Sequence, residues 1–135
     1  MPLDRDLISR KIADIKFSIS EINRIASKPF ENLSIDEKYS MRYNIVVLVE
    51  ALIALCTHIA MELYSFKPST YRESIRIVSE KLNIPCTKDI EALIGLRNLL
   101  IHRYWIIDDE EIYKNTRRNF TCLETLIKRI EEELL

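Results

Sequence analysis

IVVLVEALIALC, residues 45–56, is the stretch that decides the fold. All of its residues are apolar except Glu50. A helix built from this stretch carries apolar side chains on nearly every side, which predicts a helix buried on more than one face. The run is too short to cross a bilayer, so no membrane span is expected.

The residues before this apolar stretch predict where its helix begins and indicate another helix further upstream. Ser34 and Glu37 form an S-x-x-E capping box, which predicts a helix that begins near residue 35 and runs to about residue 64. Upstream, isoleucines recur at steps of three and four and predict an amphipathic helix within residues 3–26. The apolar stretch therefore belongs to the second of several helices.

Two further helices are predicted downstream. Thr70 and Glu73 form another capping box, which predicts a short helix over residues 70–82. Thr87 is the expected N-cap of a fourth helix, TKDIEALIGLRNLLIHRYW, residues 87–105.

Asp108 with Glu111 is expected to cap a fifth helix. Apolar residues continue from there at helical spacing: Ile112, Leu123, Ile127, Ile130 and Leu134. The chain has one glycine and four prolines, and no segment alternates apolar and polar residues as a strand does. These patterns predict an all-α fold, an antiparallel four-helix bundle with one additional short helix, in a single domain spanning residues 1–135.

Composition limits the classes of function. The net charge of −1 over 135 residues indicates that any nucleic-acid binding depends on a local basic patch. The three cysteines, Cys56, Cys86 and Cys122, are odd in number and form no C-x-x-C pair. We therefore expect free thiols in a reducing cytoplasm rather than a disulfide or a zinc site. The N-terminal residues contain no apolar segment typical of a secretory signal.

The fourth helix carries polar groups in an apolar context, RNLLIHRYW, residues 97–105. At 100° per residue Arg97 and Tyr104 lie within roughly 20° of each other, whereas Arg97 and His102 differ by about 140°. The opposite side, facing the core, is formed by Leu93, Leu96, Leu99 and Leu100, with Ile94 and Ile101 inside the polar arc. A mixed face of this kind is typical of a protein–protein surface.

Two interpretations of these polar groups are open. In the structural one, the histidine interacts with the helix terminus and the arginine extends to solvent. In the chemical one, His102 moves protons and Arg97 binds phosphate, which suffices for RNA cleavage by the RNA's own 2′-hydroxyl. One histidine cannot conveniently serve both proton transfers, but two copies in a two-fold dimer supply two. Gly95 permits close approach, either in that dimer or within the bundle.

The element R-x-x-x-x-H-x-Y, spelled Arg97-Asn98-Leu99-Leu100-Ile101-His102-Arg103-Tyr104, resembles the signature of the HEPN superfamily. More narrowly, the chain resembles the HepT-like toxins of type VII toxin–antitoxin modules. Residues 42–63, 68–82 and 101–113 also resemble that family, in the expected order. Together the matching segments cover most of residues 39–135, and the first helix matches more weakly.

The resemblance implies a homodimer that cleaves RNA without metal or cofactor, in a cleft at the dimer interface. Arg97 and His102 are then catalytic, and Asn98 supports the site. The implied partner is a minimal nucleotidyltransferase antitoxin, which uses ATP to adenylylate the tyrosine of the motif, here Tyr104. An added AMP brings bulk and negative charge to the place where the RNA phosphate must lie.

Supporting residues are predicted less specifically. Glu50 either reaches solvent or fixes the guanidinium of Arg97 or Arg42. His58 is interpreted as a core or interface histidine rather than a ligand. The predicted contacts to RNA or the partner are Arg42, Arg72, Arg76 and Arg103, and for Arg42 the alternative is an ordinary surface arginine. Tyr71, Arg72 and Arg76 on the short helix are expected to extend a basic rim, whereas Arg117 and Arg118 are expected on a solvated face.

Two other functions remain open from the sequence. The chain is alternatively a non-catalytic HEPN subunit that binds a nucleotide or the nucleotidyltransferase, in which case Arg97 holds a phosphate and His102 is structural. In the third hypothesis it is a plain helical oligomer without chemistry.

Overall fold

The computed structural model describes residues 3–102 and 104–135, and the side chains of Tyr104 and of residues 117–119 lie outside that description. The described residues form helices and no strands, which confirms the predicted all-α class. The helices are α1 Arg5–Ala26, α2 Ile35–Glu62, α3 Tyr71–Lys81, α4 Thr87–His102 and α5 Asp109–Leu134, with short 3₁₀ turns at Phe30–Asn32 and Tyr104–Ile106.

The predicted capping box of α2 is confirmed. The Ser34 hydroxyl accepts a hydrogen bond from the Glu37 main-chain N–H, and the Glu37 carboxylate accepts one from the Ser34 N–H. Lys28 donates its Nζ to the same carboxylate at 2.7 Å, and these bonds lower the pKa of Glu37 to about 2. The start of α2 is therefore fixed by the residues that the sequence pattern indicates.

The other helix starts follow the sequence less closely. Thr70 accepts a bond from the Glu73 N–H as predicted, but the capping box is incomplete, because the Glu73 carboxylate accepts from the Ser69 N–H and hydroxyl rather than from the Thr70 N–H. Asp108 caps α5 through its Oδ1. The prediction of Thr87 as an N-cap is wrong. α4 already includes Thr87, whose hydroxyl donates to the Ile84 carbonyl at 3.2 Å instead of capping the helix.

The four long helices pack in a ring. α1 packs against α2 and α5, α2 also packs against α4, and α4 packs against α5, while α3 lies across α2 and α4. Arg5 donates its Nε to the carbonyl of Leu134, and the Tyr113 hydroxyl lies 2.5 Å from the carbonyl oxygen of Lys28. Each end of α1 thus meets the opposite end of α5, as antiparallel helices do.

α2 is the central helix of the core. Eight of the twelve residues in the 45–56 stretch are buried, and Leu48, Val49, Leu52, Leu55 and Cys56 are completely inaccessible. By length and composition alone α2 as a whole is apolar enough to cross a membrane, but 61% of its most apolar window is buried inside the protein. Its apolar character is accounted for by contact with α1, α3 and α4.

Leu52→Ala should lower the free energy of unfolding by about 2–5 kcal/mol, because it leaves a cavity between tightly packed helices. Urea unfolding followed by circular dichroism measures the change. The control is Ile35→Ala on the same helix, whose side chain is 64% exposed and which should cost no more than about 0.5 kcal/mol. Equal stability of the two variants would contradict the central position of α2.

The cysteine prediction is wrong. Cys86 and Cys122 form a disulfide, with Cα atoms 6.0 Å apart, which joins the residue before α4 to the middle of α5. Cys56 alone remains free among the cysteines, and burial raises the pKa of its thiol to about 12. An odd cysteine count does not exclude one pair, and the pairing depends on the packing of α4 against α5.

Reduction of this disulfide should destabilise the fold by about 2–4 kcal/mol, because the bond closes a loop with a sequence separation of 36 residues. Denaturant unfolding with and without dithiothreitol measures the difference. In the double variant Cys86→Ser/Cys122→Ser, the reductant should have no effect. A parent protein that is equally insensitive would show that the bond does not form or does not stabilise.

Candidate functional site

Arg97 lies in the second half of α4 and is held from two sides. Its Nε donates to Glu50 Oε1 at 2.7 Å, and its Nη2 pairs with the same carboxylate. Its Nη1 donates to Asn98 Oδ1 at 2.9 Å. The side chain is only 15% exposed, compared with 49% for Glu50. Of the alternatives for Glu50, the structure shows the pair with Arg97, which orients the guanidinium before any ligand arrives.

Tyr71, the first residue of α3, completes the surroundings of Arg97. The Arg97 Cζ lies 5.7 Å from the centre of the Tyr71 ring, within the range of a cation–π contact, and the tyrosine is 52% exposed. The sequence suggested Tyr71 only as part of a rim. No pattern along the chain connects it to Arg97, because their contact depends on how α3 packs against α4.

His102 is the last residue of α4 and is exposed to solvent. Three large apolar side chains near it are also exposed: Ile101 at 40%, Trp105 at 68% and Ile106 at 54%. The imidazole is therefore exposed at the end of the helix that holds Arg97, and exposed apolar residues lie next to it in the sequence. Several large apolar side chains exposed along one short segment indicate a surface that another molecule covers.

The end of α4 differs from the prediction. α4 was expected to continue to residue 105, but it ends at His102, and Tyr104–Ile106 form a 3₁₀ turn. The helical angle inferred between Arg97 and Tyr104 therefore does not apply. Arg103 and the side chain of Tyr104 lie outside the described residues, so their predicted roles rest on the sequence.

The predicted polar arc of α4 also needs correction. Ile94, assigned to that arc, is buried at 2% exposure, whereas Leu96 and Leu99, assigned to the core, are half-buried. Because α3 covers this part of α4, the side that the isolated helix presents as mixed is partly interior. Leu93 and Leu100 are buried as predicted.

Comparison with known proteins shows the family of this chain. The family described as Ribonuclease HepT-like matches residues 15–130. The chain belongs to the HepT-like ribonuclease family. The resemblance inferred from R-x-x-x-x-H-x-Y is thereby confirmed.

Individual similar proteins are distant in sequence but similar in length, and the solved structures among them share the fold. The mRNA nuclease HepT of Shewanella oneidensis is 23% identical over 133 residues, which cover 95% of this chain and 98% of the relative. A solved structure of a tri-AMPylated Shewanella oneidensis HEPN toxin in complex with MNT antitoxin has a TM-score of 0.83 at 23% identity, covering 95% of this chain and 98% of that one. The structure of YutE from Bacillus subtilis, a cytosolic protein of unknown function, also has a TM-score of 0.83, at 18% identity, covering 99% and 93%.

The predicted basic rim of this HepT-like chain is partly neutralised. Arg42 donates two 2.7 Å hydrogen bonds to the carboxylate of Asp109, joining the first half of α2 to the start of α5. The hydrogen bonds with Asp109 raise the pKa of Arg42 and outweigh the opposite effect of its partial burial. Arg76 pairs with Glu91 at 2.8 Å. Neither guanidinium is brought to Arg97 by any contact in the described structure, so both remain weaker candidates for RNA contact.

Arg72 and Gly95 form a close contact between α3 and α4. Arg72 donates its Nη1 to the carbonyl of Glu91 at 3.3 Å. A side chain at Gly95 would place its Cβ 3.1 Å from Arg72 Nη2, so the glycine gives the guanidinium room against α4. Of the two explanations for Gly95, the structure shows close approach within the chain.

His58 is bound within its own chain. Its Nε2 accepts a hydrogen bond from the main-chain N–H of Asp4 at 2.9 Å, just before α1 begins. The half-buried imidazole thus connects α2 to the start of α1, in agreement with a structural histidine. Of the two histidines in the sequence, only His102 lies on the helix that carries Arg97.

Proposed function

We propose that this protein is a toxin endoribonuclease that cleaves RNA through attack of the substrate's own 2′-hydroxyl, without a metal ion or cofactor. The observation that carries the proposal is the Arg97 guanidinium, fixed by Glu50 and Asn98, on the same helix as the exposed imidazole of His102. Membership of the HepT-like ribonuclease family and the relative named as an mRNA nuclease support it.

The reaction needs a base, an acid and a cation. One His102 takes the proton of the 2′-hydroxyl, whose oxygen attacks the neighbouring phosphorus. The bond to the 5′-oxygen breaks, and a protonated His102 gives a proton to that leaving oxygen. Arg97 binds the non-bridging oxygens and offsets the negative charge that develops there. The products are a 2′,3′-cyclic phosphate and a 5′-hydroxyl, and no bond is made to the protein.

The two proton transfers point to a homodimer. A single chain offers only one histidine for them, because His58 is bound to Asp4. An isologous pair brings two copies of Arg97 and of His102 to one cleft. The exposed Ile101, Trp105 and Ile106 beside His102 supply an apolar surface for such a contact.

The proposed partner is a minimal nucleotidyltransferase antitoxin that modifies Tyr104. The tyrosine oxygen attacks the α-phosphorus of ATP, the bond to the β-phosphate oxygen breaks, and pyrophosphate leaves. The attached AMP then adds a negative charge two residues from His102, where the RNA phosphate would bind. The tri-AMPylated HEPN toxin solved with MNT antitoxin supports this regulation. Because RNA and ATP are the proposed substrates, the proposal locates both proteins in the cytoplasm.

The ribonuclease is tested by incubating the purified protein with RNA in excess chelator. We expect cleavage with 2′,3′-cyclic phosphate and 5′-hydroxyl ends, and a dimer by sedimentation. A requirement for divalent metal, or products with 5′-phosphate ends, would contradict the mechanism. No cleavage by a protein that the transferase still modifies would favour a binding subunit instead.

The modification is tested with the cognate transferase and ATP. Intact mass spectrometry should show one or more AMP units on the parent protein and none on Tyr104→Phe. After this treatment the parent should lose its ribonuclease activity, whereas Tyr104→Phe should be unaffected by the treatment. Tyr113→Phe is the matched control, because that hydroxyl donates to the main-chain carbonyls of Ala26 and Lys28 around the end of α1 and lies outside the motif. Equal modification of Tyr104→Phe would contradict the assigned acceptor.

Glu50→Ala should lower kcat/KM for RNA by about 10-fold to 100-fold, because Arg97 loses the carboxylate that orients it. Glu50→Gln keeps a hydrogen-bond acceptor and should recover part of that loss. The unfolding free energy should change by less than about 1 kcal/mol, since the ion pair is half-exposed at Glu50. Full activity of Glu50→Ala would exclude a positioning role.

A further inference from the structure

An open cavity of about 550 Å³ lies between the start of α3 and the middle of α4. Thr57, Pro68, Tyr71, Ile94 and Asn98 are among the residues that line it. The volume falls within the range of small-molecule sites, which combine apolar walls with a few polar groups. Ile94 is nearly inaccessible and supplies an apolar wall, whereas Thr57 and Asn98 supply the polar groups.

The cavity adjoins the guanidinium proposed to bind the scissile phosphate. Two of its lining residues contact Arg97 directly: Asn98 accepts the hydrogen bond from Nη1, and the Tyr71 ring lies 5.7 Å from Cζ. A phosphate held by Arg97 therefore has the cavity as its immediate neighbour. In a nucleotide the ribose joins the base to the phosphate, so a base can reach a cavity beside a bound phosphate.

We propose that this cavity is a nucleobase subsite, in which the base next to the phosphate held by Arg97 stacks against Tyr71. This inference rests on the proposed ribonuclease function and identifies how its substrate is selected. Proteins that read RNA sequence bind splayed-out bases, which stack on aromatic rings and form hydrogen bonds along their edges. The Asn98 oxygen already accepts from Arg97, so this side chain offers the base its N–H donor.

Charge at the cavity favours a nucleic acid over other occupants. Arg72 lines the cavity beside Tyr71 and is exposed. It donates to the Glu91 carbonyl, and the ion pairs among the described residues do not include it. A guanidinium bonded to a neutral carbonyl keeps its positive charge available for a second phosphate along the strand.

Tyr71→Ala, Tyr71→Phe and Tyr39→Ala form the test set. Tyr39 is a matched control, because its ring also lies beside a guanidinium, that of Arg42 at 5.1 Å, and it is 56% exposed. In the first measurement, each of these variants carries His102→Ala as well, and its binding of the four nucleoside 3′-monophosphates is compared with that of the His102→Ala protein. The second is kcat/KM for short RNAs that differ only in the base beside the cleaved bond, each measured with His102 intact.

We expect Tyr71→Ala to weaken binding of the preferred nucleotide by about tenfold or more and to abolish the preference among the four bases. Tyr71→Phe keeps the stacking surface and should keep both properties, as should Tyr39→Ala. The ratio of kcat/KM values between RNAs is decisive, because loss of a merely structural contact to Arg97 lowers all rates equally.

The outcomes separate this subsite from the ribonuclease function. Cleavage by the parent with an unchanged base preference in Tyr71→Ala would overturn the subsite and leave the ribonuclease intact. Failure of the dimer to bind any of the four nucleotides would also overturn the subsite. That result is the one expected if the second subunit of the dimer occupies the cavity. Tyr71-dependent nucleotide binding by a parent that cleaves no RNA would support the subsite and overturn the ribonuclease.

Discussion

His102→Ala should lower kcat/KM for RNA cleavage by about 10²-fold to 10⁴-fold, the range that general acid–base catalysis contributes. The dimer loses both of its proposed proton carriers at once, and no second histidine is available on α4. Stability should change little, because His102 is exposed at the last residue of the helix. Initial rates on a labelled RNA in chelator, together with thermal unfolding, measure both effects.

His58→Ala is the matched control for that variant. It removes the other histidine and its bond to Asp4, so stability should fall while the base and acid remain in place. Mixed dimers of parent and His102→Ala chains test the composite site, since one histidine then has to serve both transfers. A parent-like rate per remaining His102 in the mixed dimer would show that each chain acts alone.

Arg97→Ala should lower kcat/KM by about 10²-fold to 10³-fold, as for loss of a group that stabilises developing negative charge. Arg97→Lys should recover little of it, because an ammonium cannot reproduce the planar, two-sided arrangement with Glu50 and Asn98. Cleavage assays under saturating and limiting RNA separate the effect on kcat from the effect on KM.

Arg24→Ala provides the comparison for Arg97→Ala. Arg24 also pairs with a glutamate, Glu21 at 2.7 Å, but it lies on α1 and takes no part in the proposed chemistry. Its removal should leave the rate within a few-fold of the parent. Equal losses in Arg97→Ala and Arg24→Ala would indicate a general effect of positive charge on RNA binding rather than a specific site.

Local signals predicted most of the fold. The Ser34 capping box and the apolar stretch 45–56 identified α2, because caps and periodicity act within a few residues of the positions they control. The Cys86–Cys122 bond and the burial of Ile94 were missed, since both depend on which helices meet. No rule of spacing along one chain specifies those contacts.

In the candidate site, too, a motif along one helix could be predicted, whereas contacts between helices could not. Arg97 and His102 lie on one helix, so a motif in the sequence suffices to select them. For Glu50 the sequence left open solvent, Arg97 and Arg42, and only the packing of α2 against α4 shows its pairing with Arg97. Tyr71 as a neighbour of Arg97 was not predicted, because α3 carries no signal for the part of α4 that it covers.

α3 and the loop before it form a separate, short part of the chain that lies against the bundle rather than within its ring of long helices. The groups proposed to break the RNA backbone stand on α4, whereas the aromatic wall proposed to choose the base stands on α3. Target choice can then diverge among relatives without change to the machinery of cleavage. Chimeras that exchange residues 63–72 between two such proteins offer a route to retargeting the enzyme.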